Sequence, residues 1–416
     1  MKKPKAKKFY LLSGLAFNIG LLGYFKYMDF FIINFNWGFG TDMPLLHLAL
    51  PLAISFYTLQ QIAYLVDSYG GLVKEKNFLD YTLFVTFFPQ LIAGPIVHHK
   101  EMMPQFSSLK TKAVDYKNIA TGLFIFSIGL FKKVVIADTF AQWASAGHAN
   151  TEVLNLLEAW ATSLSYTFQL YFDFSGYTDM AIGAALLFNI KLPQNFNSPY
   201  KTTGLIEFWQ RWHMTLTRFI TTYIYKPFLK SLGKISFEKA MVATVFTMFI
   251  AGLWHGAAWT FVIFGLLHGL AIVINHYWKK SKIKMPHWLA WFITFNFLNL
   301  SFVIFRAKDW ADAINILKAM ISIDTIVLPQ EFANKLSFLN TYGIEFGIYT
   351  LKNTYMKEQL IVWTITLVLM VFPLKNSSEL LKKMPDYYLY FTPIMIIVSI
   401  YYGFVMNSAE FIYFNF

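Results

Sequence analysis

The chain has 416 residues, of which 56% are hydrophobic, 19% aromatic and only 14% charged. Soluble domains carry about 25% charged residues, so a water-facing surface of this size cannot be clothed, and a soluble enzyme, a disordered chain, a collagen, a coiled coil and a disulfide scaffold are all excluded. The 35 basic residues outnumber the 23 acidic ones, for a net charge of +12. The lysines fall in short runs between apolar stretches, Lys2, Lys3, Lys5, Lys7 and Lys8 first and then Lys279, Lys280, Lys282 and Lys284. That is the pattern of cytoplasmic loops flanking membrane spans, not of a nucleic-acid surface. Cysteine is absent, so a thiolate metal site and a cysteine nucleophile are ruled out, no metal centre is expected, and any acyl intermediate must sit on oxygen or nitrogen.

A spanning helix needs about 20 mostly apolar residues. The first run, 9–35, follows a basic segment but shows no small-residue cleavage site, so it reads as a retained spanning helix rather than a signal peptide. Further candidates are 45–66, 78–98, 119–143, 153–172, 176–192, 238–256, 258–278, 287–305, 359–374 and 388–407. Segment 78–98 contains Pro89, Gly94 and Pro95 and has lysines on both sides, Lys74 and Lys76 before it, Lys100, Lys110 and Lys112 after it. Broken backbone at membrane depth needs protein or water to satisfy it, so this segment predicts a re-entrant hairpin beside a cavity. Between 193 and 237, Pro193, Asn195, Asn197, Ser198 and Pro199 stop the helix. Gly204 to Lys230 then mixes aromatics with Glu207, Arg211, His213, Arg218 and Lys226, as an interfacial or partly inserted helix would. The polar interval 308–358 is expected outside the membrane on one face. No internal repeat is evident, which weakens an inverted-repeat transporter. The expectation is an all-α, polytopic transmembrane protein forming one membrane-embedded domain over 1–416, with re-entrant and interfacial helices around a central cavity.

Ionisable groups inside apolar runs cost roughly 2.5–3.5 kcal/mol each and are functional candidates by default. Three places qualify. In Phe208-Trp209-Gln210-Arg211-Trp212-His213, Glu207 and Arg211 stand four apart in the favourable order for a helical ion pair, and His213 projects from another face; an amphipathic helix meeting headgroups explains the same residues. In Gly252-Leu253-Trp254-His255-Gly256-Ala257-Ala258-Trp259, a neutral imidazole in an apolar run is a proton acceptor near neutral pH; a buried structural histidine is the alternative, and His268 is read as structural. In Tyr171-Phe172-Asp173-Phe174-Ser175-Gly176-Tyr177-Thr178-Asp179-Met180, two carboxylates beside a Ser-Gly break suggest helix capping at a kink more than a proton or metal site.

The whole constellation resembles the membrane-bound O-acyltransferase family, and more closely its bacterial branch that O-acetylates polysaccharides such as alginate and peptidoglycan. The motifs that carry the resemblance are Leu91-Ile92-Ala93-Gly94-Pro95-Ile96, Tyr171 to Ala181, Pro193-Gln194-Asn195-Phe196, Phe208 to His213, and Leu253 to Trp259. It runs from about Leu11 to Phe416. It implies the fold of that family and maps the family's two signature histidines onto His213 and His255, the second as catalytic base in a passage through the membrane. The glycines around His255 would keep that passage open. Arg211, Trp209, Trp254, Asp173 and Asp179 are further substrate- or donor-binding candidates, with Arg211 and the basic loops facing an anionic donor at the cytoplasmic mouth. Relative to the family the chain looks N-terminally short, and Lys226-Pro227-Phe228-Leu229-Lys230 replaces an Ile-Pro-Leu-Gly-Gly-type turn. Its ending, Phe411-Ile412-Tyr413-Phe414-Asn415-Phe416, resembles a Phe-x-Tyr-x-x-Phe terminus whose tyrosine relays an acyl group; an aromatic interface anchor is the alternative for Tyr413.

These resemblances imply an acetyltransferase of the bacterial inner (cytoplasmic) membrane. It would bind no cofactor, take acetyl coenzyme A or another acyl thioester as donor, and work with an extracytoplasmic acetyltransferase partner on a cell-wall or exported polysaccharide. A proton-coupled transporter or flippase using the intramembrane His and Asp residues, and a non-catalytic scaffold, are the competing classes.

Overall fold

Lipid offers no hydrogen bonds, so a spanning backbone must satisfy itself along its own axis, and the long apolar runs of this chain become helices accordingly. The computed structural model describes residues 4–73, 77–323, 326–347, 362–363, 365–366, 375–382, 389–405, 409 and 411–412. The chain opens with α1 (Pro4–Leu22), a single π turn over Gly23–Tyr27 and α2 (Met28–Phe39), which together form one rod ended by the left-handed Gly40. The expected span 45–66 begins late. Residues 41–53 are not helical and α3 covers Ile54–Tyr69, because Pro51 cannot donate within a helix and restricts the residue before it. Asp29 holds this loop by accepting the amides of Leu46 and His47 at 2.7 and 3.0 Å.

Segment 78–98 is broken where its prolines and glycine require. It gives α4 (Phe78–Thr86), α5 (Phe88–Leu91) and an extended stretch leading to α6 (His99–Phe106), each far short of the length needed to cross. A second rod follows: α7 (Tyr116–Phe131), a π turn over Lys132–Ala137 and α8 (Asp138–His148).

The next element corrects the sequence reading. Segments 153–172 and 176–192, expected as two helices parted at Ser175-Gly176, are one helix, α9 (Leu156–Leu187), opened by a capping box between Asn155 and Glu158. Gly176 is a contact point, not a break. A Cβ on it would sit 2.8 Å from the Gly129 carbonyl oxygen, and one on Gly129 would sit 2.5 Å from the Gly176 oxygen. One turn pair along, Gly122 and Gly183 repeat the arrangement at 2.7 and 2.5 Å. Glycines at these crossings let two helix backbones touch, so α7 and α9 meet with no side chains between them. Asp173 and Asp179 therefore cap nothing; they lie inside a continuous helix whose amides are already bonded.

The stretch 193–237 is not one amphipathic helix. It is an extended run followed by α10 (Leu205–Arg211), α11 (Met214–Ile220), a π turn over Thr221–Tyr225 and α12 (Lys226–Ser231), with Phe208, Trp209, Trp212 and Phe219 buried in protein. Then come α13 (Phe237–His255), α14 (Trp259–Ser281) and α15 (His287–Arg306), close to the expected spans. In the polar interval, α16 (Trp310–Ala319) leads to a short parallel pair, β1 (Val327–Pro329) with β2 (Glu345–Gly347), a small departure from an all-α chain. Candidate 359–374 lies mostly outside the described residues; α17 (Ser377–Lys382) and α18 (Phe391–Val405) complete the order.

Among the described residues, five helical stretches are long and apolar enough to cross a membrane: Lys5–Phe39, Tyr116–His148, Phe237–His255, Trp259–Ser281 and His287–Arg306. The protein is thus a polytopic helical membrane protein. α9 is not among the five, because its middle carries buried Thr162, Ser163, Ser165, Thr167, Gln169, Asp173, Ser175, Thr178 and Asp179. A helix packed among other helices answers polar groups with protein partners instead of lipid, and α9 lies at the centre for that reason.

Candidate active site

Two breaks in the helices deliver the two histidines. α10 stops at Arg211, Trp212 is extended, and His213 takes a left-handed conformation (φ 42°, ψ 51°) before α11 restarts at Met214. A non-glycine residue held there costs about 1–3 kcal/mol and persists only where its surroundings fix it. They do so here: Asn197 N–H donates to Arg211 O and Met214 N–H to Asn195 O, both at 2.9 Å. The kink turns the imidazole into the core, where it is fully buried. Its Nδ1 lies 3.2 Å from Asn195 Oδ1, an oxygen that also accepts from Thr215 N at 3.2 Å and Thr215 Oγ1 at 2.8 Å. The Ile96 amide in turn donates to Thr215 Oγ1 at 3.0 Å, which ties the extended stretch after α5 to the same point. With an amide oxygen opposite Nδ1, that nitrogen carries the proton and Nε2 keeps the ring's lone pair.

His255 is the last residue of α13 and is 4% exposed. Helix ends leave carbonyls without partners, and here the first rod supplies donors: Lys26 Nζ bonds the Trp254 and His255 oxygens at 2.7 and 3.1 Å and Ser55 Oγ at 3.1 Å, while Tyr27 Oη donates to Leu253 O at 2.6 Å. Lys26 and Tyr27 reach this helix end from the π turn. The Trp254 indole links the histidines, with ring centroids 6.3 Å from His213 and 5.0 Å from His255. Phe174 meets the other side of His213 at 4.7 Å, and Phe305 and Phe264 meet His255 at 5.2 and 6.3 Å.

A cavity of about 350 Å³ reaches the Gly256–Ala258 backbone beside Lys26, Asp29, Leu48 and Phe261. Of the glycines flanking His255, Gly256 lines this cavity with the Phe261 ring against it, whereas Gly252 is a helix contact. A Cβ on Gly252 would lie 2.4 Å from Phe261 O, and one on Gly265 2.4 Å from Met248 O, so they bring α13 and α14 into backbone contact. A larger cavity, about 540 Å³, opens between the second rod, α9 and residues 198–201, with Lys132, Lys201, Lys375, Asn376 and Ser377 on a mostly apolar wall.

The remaining sequence candidates divide. Trp254 is at the site. Trp209 is not; its Nε1 donates to His268 Nδ1 at 3.2 Å, and His268 Nε2 stands 3.0 Å from Ser301 Oγ, so both are core partners and His268 is structural as expected. Arg211 pairs with Glu207 at 2.6 Å on a half-exposed edge. Asp179 is taken by Lys132 at 2.7 Å and Ser377 Oγ at 2.8 Å, and Asp173 by Lys133 at 2.8 Å. Their carboxylates are thus spent on internal partners. Tyr413 lies outside the described residues. No group of three or more potential metal ligands occurs among the described residues. Sequence reasoning gave no role to Lys26, a lone lysine in an apolar run, and took Asn195 as a helix breaker and a motif position without assigning it a partner. Asn195→Ala is expected to lower the melting temperature and to cut acyl transfer about ten-fold, because the Thr215 and His213 donors lose a buried acceptor worth about 1–3 kcal/mol. Unchanged activity would show that this amide does not hold the His213 ring.

A profile of the membrane-bound O-acyltransferase family matches residues 72–308. The chain is 46% identical to the peptidoglycan O-acetyltransferase of Helicobacter pylori over all of this chain and 84% of that protein. It is 36% identical to the probable alginate O-acetylase AlgI of Pseudomonas aeruginosa over 84% of this chain and 66% of that one. With the teichoic acid D-alanyltransferase of Bacillus subtilis it shares 30% identity over 62% of this chain and 69% of that one. A multi-pass membrane acyltransferase is the class that fold and comparisons define together. The chain belongs to the membrane-bound O-acyltransferase family.

Proposed function

We propose that this protein moves an acetyl group from a cytoplasmic thioester, acetyl coenzyme A or a similar acyl thioester, across the inner membrane for O-acetylation of a cell-wall polysaccharide, with peptidoglycan favoured by the relative it matches over its whole length. The observation that carries this reading is the convergence of His213 and His255 on one indole at two helix breaks. Transfer to a hydroxyl needs a base, charge stabilisation at the carbonyl oxygen and exclusion of water. His255 accepts the proton of an acceptor hydroxyl, that of the extracytoplasmic acetyltransferase or of a carrier that passes the acetyl on to it, as that oxygen attacks the thioester carbon; the C–S bond breaks, the proton leaves with the thiol, and the acetyl remains as an ester on the acceptor oxygen. His213, protonated at Nδ1 toward Asn195, helps to position the substrate, and its other ring nitrogen, which carries no proton in that tautomer, does not donate to the oxyanion. The cavity beside Lys26 and Gly256 gives the approach to this end of α13, and since the His255 ring is nearly enclosed, substrate entry requires the aromatic side chains around it to move. An extracytoplasmic acetyltransferase would receive the acetyl group and complete the ester on the polymer.

A strain lacking the protein is expected to lose acetyl esters from purified peptidoglycan, and the wild-type gene to restore them. Retention of the esters overturns the acceptor. Uptake of solute into proteoliposomes with no thiol released from acetyl coenzyme A would favour a transporter instead. His213→Ala is expected to reduce transfer about 100-fold without abolishing it, within the range of positioned acid–base groups.

A further inference from the structure

Lys133, Asp138 and Asp173 form a buried charge cluster that plays no part in the chemistry at the histidines. The π turn over Lys132–Ala137 places two successive lysines against neighbouring elements: Lys132 on Asp179, and Lys133 between two carboxylates, 2.6 Å from Asp138 Oδ1 and 2.8 Å from Asp173 Oδ1. Two carboxylates share one ammonium where solvent is scarce, so polar atoms of the cluster are left to find further partners. The chain's own C-terminal segment supplies them. Ile412 N–H donates to Asp173 Oδ2 at 2.8 Å, and the Ala409 carbonyl accepts from Lys133 Nζ at 2.9 Å. Between these two anchors Phe411 is 5% exposed, stacked on Tyr177 at 4.7 Å and 6.3 Å from Phe174. Phe174 is the ring that meets His213. Ala409, Phe411 and Ile412 are therefore held one aromatic ring away from the candidate site.

We propose that Lys133 and Asp173 form an ionic clamp that seats the C-terminal segment against the acyl-transfer site, and that both are positioning residues for transfer. The proposal rests on the reading of His213 and His255 given above. A buried ion pair contributes little net stability compared with an apolar pair of the same shape, so holding the tail by packing alone would need no charges. A carboxylate fixed in place adds register in combination with the Phe411 slot, because the N–H one residue beyond that ring is the donor brought against it. A slip of one residue would exchange Phe411 for a neighbour in the slot between Tyr177 and Phe174. Tyr413 follows the anchored residue directly in the chain.

Ile412→Pro tests this, since it deletes the N–H that Asp173 accepts and leaves every spanning helix unchanged. The chain has no cysteine, so Ala409→Cys introduced into each variant reports the tail by its rate of maleimide labelling. With acetyl coenzyme A as donor, Ile412→Pro is expected to raise labelling about ten-fold and to lower kcat about ten-fold at unchanged donor KM, as for loss of one hydrogen bond to a charged group. Ile412→Val keeps the N–H and should alter neither by more than about two-fold, and Lys133→Arg, which keeps the charge and donors, should hold kcat within about three-fold while Lys133→Met behaves like Ile412→Pro. Faster labelling with unchanged kcat would reduce the clamp to a packing device, and unchanged labelling would remove the clamp altogether. His255→Ala separates the two levels: if it leaves transfer intact, the reading of the site fails, whereas loss of transfer there together with full transfer in Ile412→Pro sinks the clamp alone.

Discussion

Alanine at position 255 is expected to lower polysaccharide acetylation by about 10²–10⁴-fold, the contribution of a positioned general base, with the amount of protein in the membrane unchanged. The imidazole sits at the last residue of α13, and the helix end is held by contacts to backbone oxygens: Lys26 to residues 254 and 255, Tyr27 to residue 253. Those contacts survive loss of the side chain, so the helix keeps its end. The gap left among Trp254, Phe264 and Phe305 weakens packing but does not displace an element. His268→Ala is the contrasting variant. Its ring is fully bonded by Trp209 and Ser301, so its removal should lower melting temperature while the rate per folded molecule holds. Acetyl ester content of purified wall, normalised to protein in the membrane, measures both. Normal ester content in His255→Ala would end the assignment of the base.

Leucine at Gly129 is expected to prevent recovery of folded protein. Even alanine there would bring a Cβ to 2.5 Å from the Gly176 oxygen and 2.6 Å from Met180 N, atoms of a helix backbone that cannot swing aside. The rod containing α7 must then move off α9. Overpacking a rigid contact costs about 1–3 kcal/mol and more where backbones must shift, and α9 carries Asp173 and Phe174, so the damage reaches the clamp and the His213 ring together. Gly20→Ala is the matched control, with nothing within 4 Å of the added carbon; in a helix interior it should stabilise by up to about 1 kcal/mol. Detergent-extracted yield and melting temperature distinguish them. Similar behaviour in both variants would show that the α7–α9 contact tolerates separation.

Hydropathy made most of the architecture legible, because lipid leaves an apolar run few alternatives to a helix. Three of the spans, α13, α14 and α15, agree with the sequence to within a residue or two at most boundaries. Position 176 was misread for a local reason: glycine marks a break and a close helix contact with the same letter, and only the opposing Gly129, 47 positions earlier in the chain, decides between them. Asp173 and Asp179 were misread likewise, since their lysine partners come from the π turn of another rod. The motif resemblance singled out His213 and His255, but not the left-handed backbone that turns His213 inward, because that conformation is enforced by loop 193–198 across the fold. Trp209 was assigned to donor binding from its neighbours in sequence and belongs to His268 in space. Lys26 was legible in principle as a charged residue within an apolar run, and its partners on α13, 228 and 229 positions away, were not.

The first rod is 35 residues long from Lys5 to Phe39, roughly 50 Å at the rise of a helix, against a hydrocarbon layer of about 30 Å. A helix so much longer than the layer leans to fit it, and leans further in a thin bilayer than in a thick one. Within its apolar stretch, Lys26 holds the carbonyl oxygens of residues 254 and 255, so a change of inclination is expected to pull on the end of α13. Turnover in vesicles of short- and long-chain lipids is therefore expected to differ, and Lys26→Met to flatten that difference; equal turnover in both lipids would show that the inclination of the first rod does not reach the end of α13.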